Sequence, residues 1–168
     1  PYDAQFIVRC IEGKKVTSDF LMLFIACNTG LAKDVRTFNM TTREIRRLPS
    51  IIKRLGISLT GTSSDASLRR ALILAEYIQE ERIGDITDRY AYFNDNDIYE
   101  LSKYASRSMS EIAGIAKKIG RPDIAERAEN LAQRIRHGVK EDLIESKLVF
   151  LPEVGRVRGR RLFNAGFR

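Results

Sequence analysis

Tryptophan is absent from these 168 residues, histidine occurs once and cysteine twice. His137, Cys10 and Cys27 are too few for a four-ligand zinc site, and two cysteines make no disulfide framework. No metal site is expected. With four prolines and eleven glycines, the chain is neither collagen-like nor a low-complexity tract. Its longest apolar run, Phe20 to Cys27, has eight residues, against the roughly 18–20 that a membrane helix needs. That run also lies too deep, and lacks a cleavage pattern, for a signal peptide. These absences describe a reduced, intracellular protein, cytoplasmic and without a membrane partner.

Hydrophobic residues make up 43% of the chain and charged residues 30%, enough apolar content for a core. The 29 Lys and Arg exceed the 22 Asp and Glu, for a net charge of +7, which suits a polyanionic partner. Pro1 opens the sequence and Phe167-Arg168 closes it just after a helix-like run. Both ends read as cut, so a fragment of a longer protein is expected.

The apolar periodicity is helical nearly throughout. It predicts a short helix over Asp3–Ile11 stopped by Gly13, and a second over Asp19–Asn28, capped by Ser18 and ended by Gly30. Thr41 and Glu44 form a capping box opening a basic helix that Pro49 should kink or divide. Residues 56–64 read as a loop with room for one short strand. Leu68, Ala71, Leu72, Ala75 and Ile78 stripe a helix over Asp65–Arg82, and a short one follows over Ile83–Tyr90. The longest helix runs from about Asp97 to Ile119, with Ile98, Leu101, Ala105, Met109, Ile112 and Ala116 on one stripe. Pro122 opens the next, which buries Ile124, Ala128, Leu131 and Ile135 until Gly138 breaks it. Another is expected over Val139–Leu148. The fold class is all-α: a bundle of about seven helices over residues 1–148, then a helix-hairpin-helix beginning at 149–168.

Catalytic signatures are missing. There is no G-x-x-x-x-G-K-[ST] loop, no H-E-x-x-H and no G-x-S-x-G. His137 stands at a helix end and reads as a C-terminal cap favoured by the helix dipole. Asn94–Asp97 lacks the Gly and distal Glu of a calcium loop and reads as capping. Glu80-Glu81 and Glu141-Asp142 read as solvated helix faces. No catalytic residue and no cofactor is assigned to these residues.

The informative stretch is Phe150-Leu151-Pro152-Glu153-Val154-Gly155-Arg156-Val157-Arg158-Gly159-Arg160-Arg161-Leu162-Phe163-Asn164-Ala165-Gly166. It has the layout helix, Pro-x-Val-Gly turn, helix. Gly155 is expected to make a tight bend, after which the amides of an opening helix offer unpaired N–H groups to a phosphate. Arg156, Arg158, Arg160 and Arg161 surround that point. Residues 152–168 hold five arginines against one acid, over half of the chain's net charge. Val154, Gly155, Arg156, Val157, Arg158, Arg160 and Arg161 are therefore candidates for gripping a nucleic-acid backbone without reading bases.

From Arg134 to Phe167 the sequence resembles the C-terminal region of archaeal superfamily 2 DNA repair helicases related to human HelQ. Ser18–Phe24, Ala75–Glu81 and Ile86–Tyr90 extend the resemblance over most of the chain. It implies an ATP-dependent enzyme moving 3′ to 5′ on single-stranded or forked DNA. ATP and Mg would be bound by motor domains upstream in the same chain. These residues would form the ratchet-bearing bundle and the start of the hairpin domain. The long helix Asp97–Ile119 would be the ratchet helix. The family has an Arg and, seven residues on, a Trp on its DNA face; this sequence has Glu100 and Arg107 there. Lys103, Tyr104 and Arg107 are the ratchet-helix candidates, for charge and for stacking. Two further departures are Glu153 in place of a usual Gly, and Gly159 in place of a common Ala. Two other readings stay open. One is the equivalent region of an RNA helicase. The other is a helical protein-interaction scaffold with a basic tail, docking through Arg43–Arg54 or Asp65–Arg82.

Overall fold

Side-chain capping opens three of the helices. The computed structural model describes residues 2–12, 18–57 and 65–168. Among these stand nine α-helices and no strand: α1 (Tyr2–Ile11), α2 (Asp19–Cys27), α3 (Thr42–Leu55), α4 (Asp65–Ile78), α5 (Ile83–Arg89), α6 (Asp95–Lys118), α7 (Pro122–His137), α8 (Glu141–Glu145) and α9 (Arg156–Asn164). Ser18 accepts a bond from the Leu21 amide at 3.2 Å and opens α2. Thr41 and Glu44 exchange both bonds of a capping box, at 2.5 and 3.3 Å, and open α3. Asn94 and Asp97 do the same for α6, at 2.9 and 3.1 Å, so that helix begins at Asp95.

Several expectations need correction. Pro49 does not divide α3, which runs unbroken for 14 residues with Pro49 on its exposed side. Gly30 does not end α2; Asn28 does, and Gly30 begins a 3-10 turn to Asp34. The helix expected over Val139–Leu148 shrinks to Glu141–Glu145, followed by a 3-10 turn at Leu148–Phe150. The stop at Gly13 and the strand considered within 56–64 fall outside the described residues, apart from Gly56 and Ile57. Gly56 itself is the left-handed cap of α3, with φ +64°.

The core forms where the stripes meet. All six α6 stripe residues are buried, as are Ile124, Ala128, Leu131 and Ile135 on α7. α6 packs along α7 and against α2, and α4 touches all three. α4 is buried around almost its whole circumference: Leu68, Ala71, Leu72, Ile73, Leu74, Ala75, Tyr77 and Ile78 are all inside. It therefore offers no docking face of the kind considered for Asp65–Arg82. The Cys27 thiol is fully buried, and burial pushes its pKa up to about 12, which makes it inert.

Two buried carboxylates, Glu44 and Glu76, anchor arginines at this core. Arg69 and Glu44 are both almost fully buried. Arg69 donates to Glu44 Oε1 from Nε and Nη2 (3.1 and 2.8 Å), to Thr37 Oγ1 at 2.9 Å, and to the Ala91 carbonyl. Burial raises the Glu44 carboxyl's pKa, but bonds from Arg69 and the Thr41 amide outweigh it, and the group ends below its usual value. Glu76, also buried, takes Arg54 of α3 and Arg89 of α5, the latter at 3.0 Å. These pairs pin α3 and α5 to α4.

A second, smaller apolar cluster gathers Val139, Leu143, Leu148 and Val149, with Ile144, Leu162 and Phe163 against it. It spans residues 139–163 and carries α9.

Candidate nucleic-acid interface

The turn before α9 is built on Glu153. Its φ is +62°, in the left-handed region that favours glycine. Gly155, expected to be the bend, is ordinary extended backbone at φ −83°, and a Cβ there would meet nothing within 4 Å. The bend thus sits two residues earlier than expected, at the position where the resembled family has Gly. The Glu153 side chain is exposed and makes no ion pair among the described residues.

Gly155 is the N-cap of α9 with no side-chain capping bond. The helix's first closing bond is Gly159 N–H to the Gly155 carbonyl, at 2.8 Å. The Arg156, Val157 and Arg158 amides ahead of it are the open end of the helix. Val154 is half-buried, its amide donating to the Leu151 carbonyl at 3.1 Å.

The four arginines divide by helix face. Arg160 points into the bundle, where Nε and Nη2 donate to Glu80 at 2.8 and 2.7 Å, and Nη1 and Nη2 to Asp142 at 2.9 and 2.6 Å. Both carboxylates, through these bonds, hold the Arg160 pKa above its ordinary value. Arg156 points the same way. Its guanidinium lies 4.9 Å over the Tyr77 ring and donates to the Glu81 carbonyl. Between them Gly159 is buried, where a Cβ would stand 3.1 Å from Val149. Arg158 and Arg161 are exposed on the opposite face. Arg158 makes one bond, to the Glu153 carbonyl at 3.2 Å, and Arg161 has no partner among the described residues. Val157 is 59% exposed beside them.

Glu80 and Asp142 are therefore not solvated helix faces. Glu80 closes α4: its amide bonds the Tyr77 carbonyl and the Glu81 amide bonds Glu76, with Glu80 at φ +65° where a glycine is usual. That conformation aims its carboxylate at Arg160 and at the Lys140 amide, 3.0 Å away. Burial raises the Glu80 carboxyl's pKa, but the Arg160 and Lys140 bonds hold it lower than usual. Glu81 takes Arg89 at 3.1 Å. Of the four, only Glu141 has no ion pair among the described residues. The sequence carries no local signal for this clamp, because its partners are 18 and 80 residues apart.

On α6 the outward stripe includes Tyr99, Glu100, Lys103 and Arg107, all exposed. Lys103 Nζ lies 5.6 Å over the Tyr104 ring, which is half-buried and packed against the core. Arg107 has no ion pair among the described residues. The setting of His137 disfavours a charged cap. Burial, helped by Arg136, lowers its pKa, and its ring packs edge-on against Phe150 at 5.1 Å. Gly138, at φ +64°, closes α7 instead.

Among the described residues no group of three His, Cys, Asp or Glu is placed to hold a metal, and no helix is long and apolar enough to cross a membrane. No family model matches the chain. Individual proteins do. The chain is 30% identical over 170 aligned positions, its whole length, to the ATP-dependent DNA helicase Hel308 of Methanocaldococcus jannaschii. It is 32% identical over 146 positions, 82% of the chain, to that of Pyrococcus abyssi. Over 103 positions, 61% of the chain, it is 35% identical to that of Pyrococcus horikoshii. These matches cover 14%, 20% and 14% of the relatives, so the chain spans a fifth or less of the curated relatives it matches. An all-α chain, closed by a turn and an arginine-rich helix and aligning over its whole length with a stretch of the Methanocaldococcus jannaschii protein, corresponds to a C-terminal region of an archaeal superfamily 2 helicase.

Proposed function

We propose that this chain is the strand-holding part of an ATP-dependent 3′ to 5′ DNA helicase. Residues 1–148 form the bundle that carries the ratchet helix α6, and 149–168 open the helix-hairpin-helix. The observation that carries the reading is the uncapped start of α9, flanked on its solvent face by Arg158 and Arg161. Three aligned amides and two mobile guanidinium groups suit a phosphate of single-stranded or forked DNA. Arg107, with Lys103 and Tyr104, supplies the second contact, on α6. Arg156 and Arg160 act through position: they seat α9 so that its amides face outward. The names of the relatives support DNA over RNA as the polymer. The basic-tail scaffold reading loses one of its two docking faces to burial.

ATP and Mg do not fit these residues, which contain no phosphate-cradling glycine loop and, where described, no acidic cluster. They belong to motor domains elsewhere in the parent protein, and this chain alone should hydrolyse no ATP. An intracellular, nucleoid-associated location follows from the DNA substrate.

The test is titration of the 168-residue chain into a labelled single strand at rising salt. Binding at low salt that weakens steeply with added salt supports the reading; no binding at low salt overturns it.

A further inference from the structure

A cleft of about 540 Å³ opens between the start of α9 and the first turns of α6. That is within the ~300–1,000 Å³ of small-ligand pockets. Tyr99 of α6, 53% exposed, is its aromatic wall; Ile83 and the exposed Val157 are its apolar sides. Arg156, 4.9 Å from the centre of the Tyr77 ring, also lines it. Arg82 and Arg161 stand at its rim. The Arg82 side chain is 87% exposed, and its one ion pair, with Asp85, is stretched to 4.0 Å. The two acidic groups near the floor, Glu80 and Asp142, are both engaged by Arg160. The cleft therefore joins apolar and aromatic walls to a cationic rim whose one ion pair is the stretched Arg82–Asp85 contact.

We infer that this cleft takes one nucleotide of a single strand, its base stacked on Tyr99 and its phosphate at Arg82, Arg161 and the α9 amides. The chemistry selects this occupant. A bare phosphate has no use for Tyr99, Ile83 and Val157, and a wholly apolar ligand has none for the arginines. A nucleotide presents a flat π surface and an anion a few ångströms apart. Tyr99, Lys103 and Arg107 follow one another at i+4 spacing, covering about 12 Å of helix. The cleft is thus where the α9 contact runs on into the α6 stripe, and it makes the two patches one track. The inference rests on the strand-holding reading and adds a base-stacking site to it.

Because the chain has no tryptophan, Tyr99→Trp places a single emitter in the cleft. Its emission should be quenched by a short oligothymidylate and much less by an abasic strand of equal length and charge. By anisotropy of the labelled oligonucleotide, Tyr99→Ala should bind about tenfold more weakly and Tyr99→Phe nearly as wild type. Circular dichroism checks that each variant is folded; the exposure of Tyr99 makes Tyr99→Phe safe in any case. If wild type binds the strand but Tyr99→Trp emission does not change and Tyr99→Ala binds equally well, the base site is wrong and the strand-holding reading survives. Quenching by polyglutamate and not by oligothymidylate would assign the cleft to an acidic peptide and overturn the inference. Absence of any strand binding by wild type overturns both.

Discussion

Arg160 of α9 and Glu80 at the end of α4 lie 80 residues apart and share two hydrogen bonds, at 2.7 and 2.8 Å. With Asp142 completing the guanidinium's partners, this contact fixes where the last helix sits. Removing the arginine leaves two carboxylates facing each other across a partly dry gap. Arg160→Ala should cost about 1–3 kcal/mol, less than a fully buried pair because Asp142 is 43% exposed. Urea unfolding measures it, and a double-mutant cycle with Glu80→Ala isolates the coupling. The folded Glu80 carboxyl is held below its unfolded pKa, so its contribution is complete above the ordinary carboxylate range and is lost as pH falls through the folded value. The gap between wild type and Arg160→Ala should therefore close in acid.

The four arginines of α9 should behave as two pairs. Arg158→Ala with Arg161→Ala is expected to leave the unfolding midpoint unchanged, weaken single-strand binding, and lower the salt slope by about 1.4, at ~0.7 per lost phosphate contact. Arg156→Ala should instead lower the unfolding midpoint, because it uncovers Tyr77. If the outward pair lowers stability and the inward residue does not, the division of faces is wrong.

Glu153→Gly should relieve the left-handed strain of the turn and stabilise the chain by about 0.5–1 kcal/mol. It also removes a carboxylate two residues from the α9 cap. Single-strand affinity should rise as well, most at low salt. A fall in both stability and affinity would show that the Glu153 side chain has a role of its own.

His137, the chain's one histidine, gives a single imidazole Hε1 signal in proton NMR. Its pKa should fall below 6.5, because burial against Phe150, and Arg136 nearby, disfavour the imidazolium. The unfolded state then binds the proton more readily. Stability from this group is complete above about 6.5 and is lost as pH falls from there through the folded value. His137→Gln should abolish that component of the pH profile. A pKa above 6.5 would restore the charged-cap reading.

Periodicity was a good guide wherever one face of a helix decides its burial. The α6 and α7 stripes are in the core, residue for residue. Capping was equally legible, since Ser18, Thr41 with Glu44, and Asn94 with Asp97 act within three residues of themselves. The end of α4 was not legible. Its stop is a glutamate in a glycine's conformation, held by Arg160 and by the Lys140 amide, 60 residues away. The bend before α9 was misplaced for a related reason: the glycine expected to make it is extended, and Glu153 takes the left-handed position.

By itself the sequence determined what depends on near neighbours: an all-helical chain, its caps and buried stripes, and a net charge concentrated in the final turn and helix. Only the tertiary structure decided which charges are free. Arg156, Arg158, Arg160 and Arg161 are chemically alike along the chain. The packing of α9 on Val149 and Leu143 turns two of them toward Tyr77 and the Glu80–Asp142 pair, and leaves two for solvent. A guanidinium's availability depends on carboxylates brought within 3 Å by the fold, a distance that sequence separation does not encode.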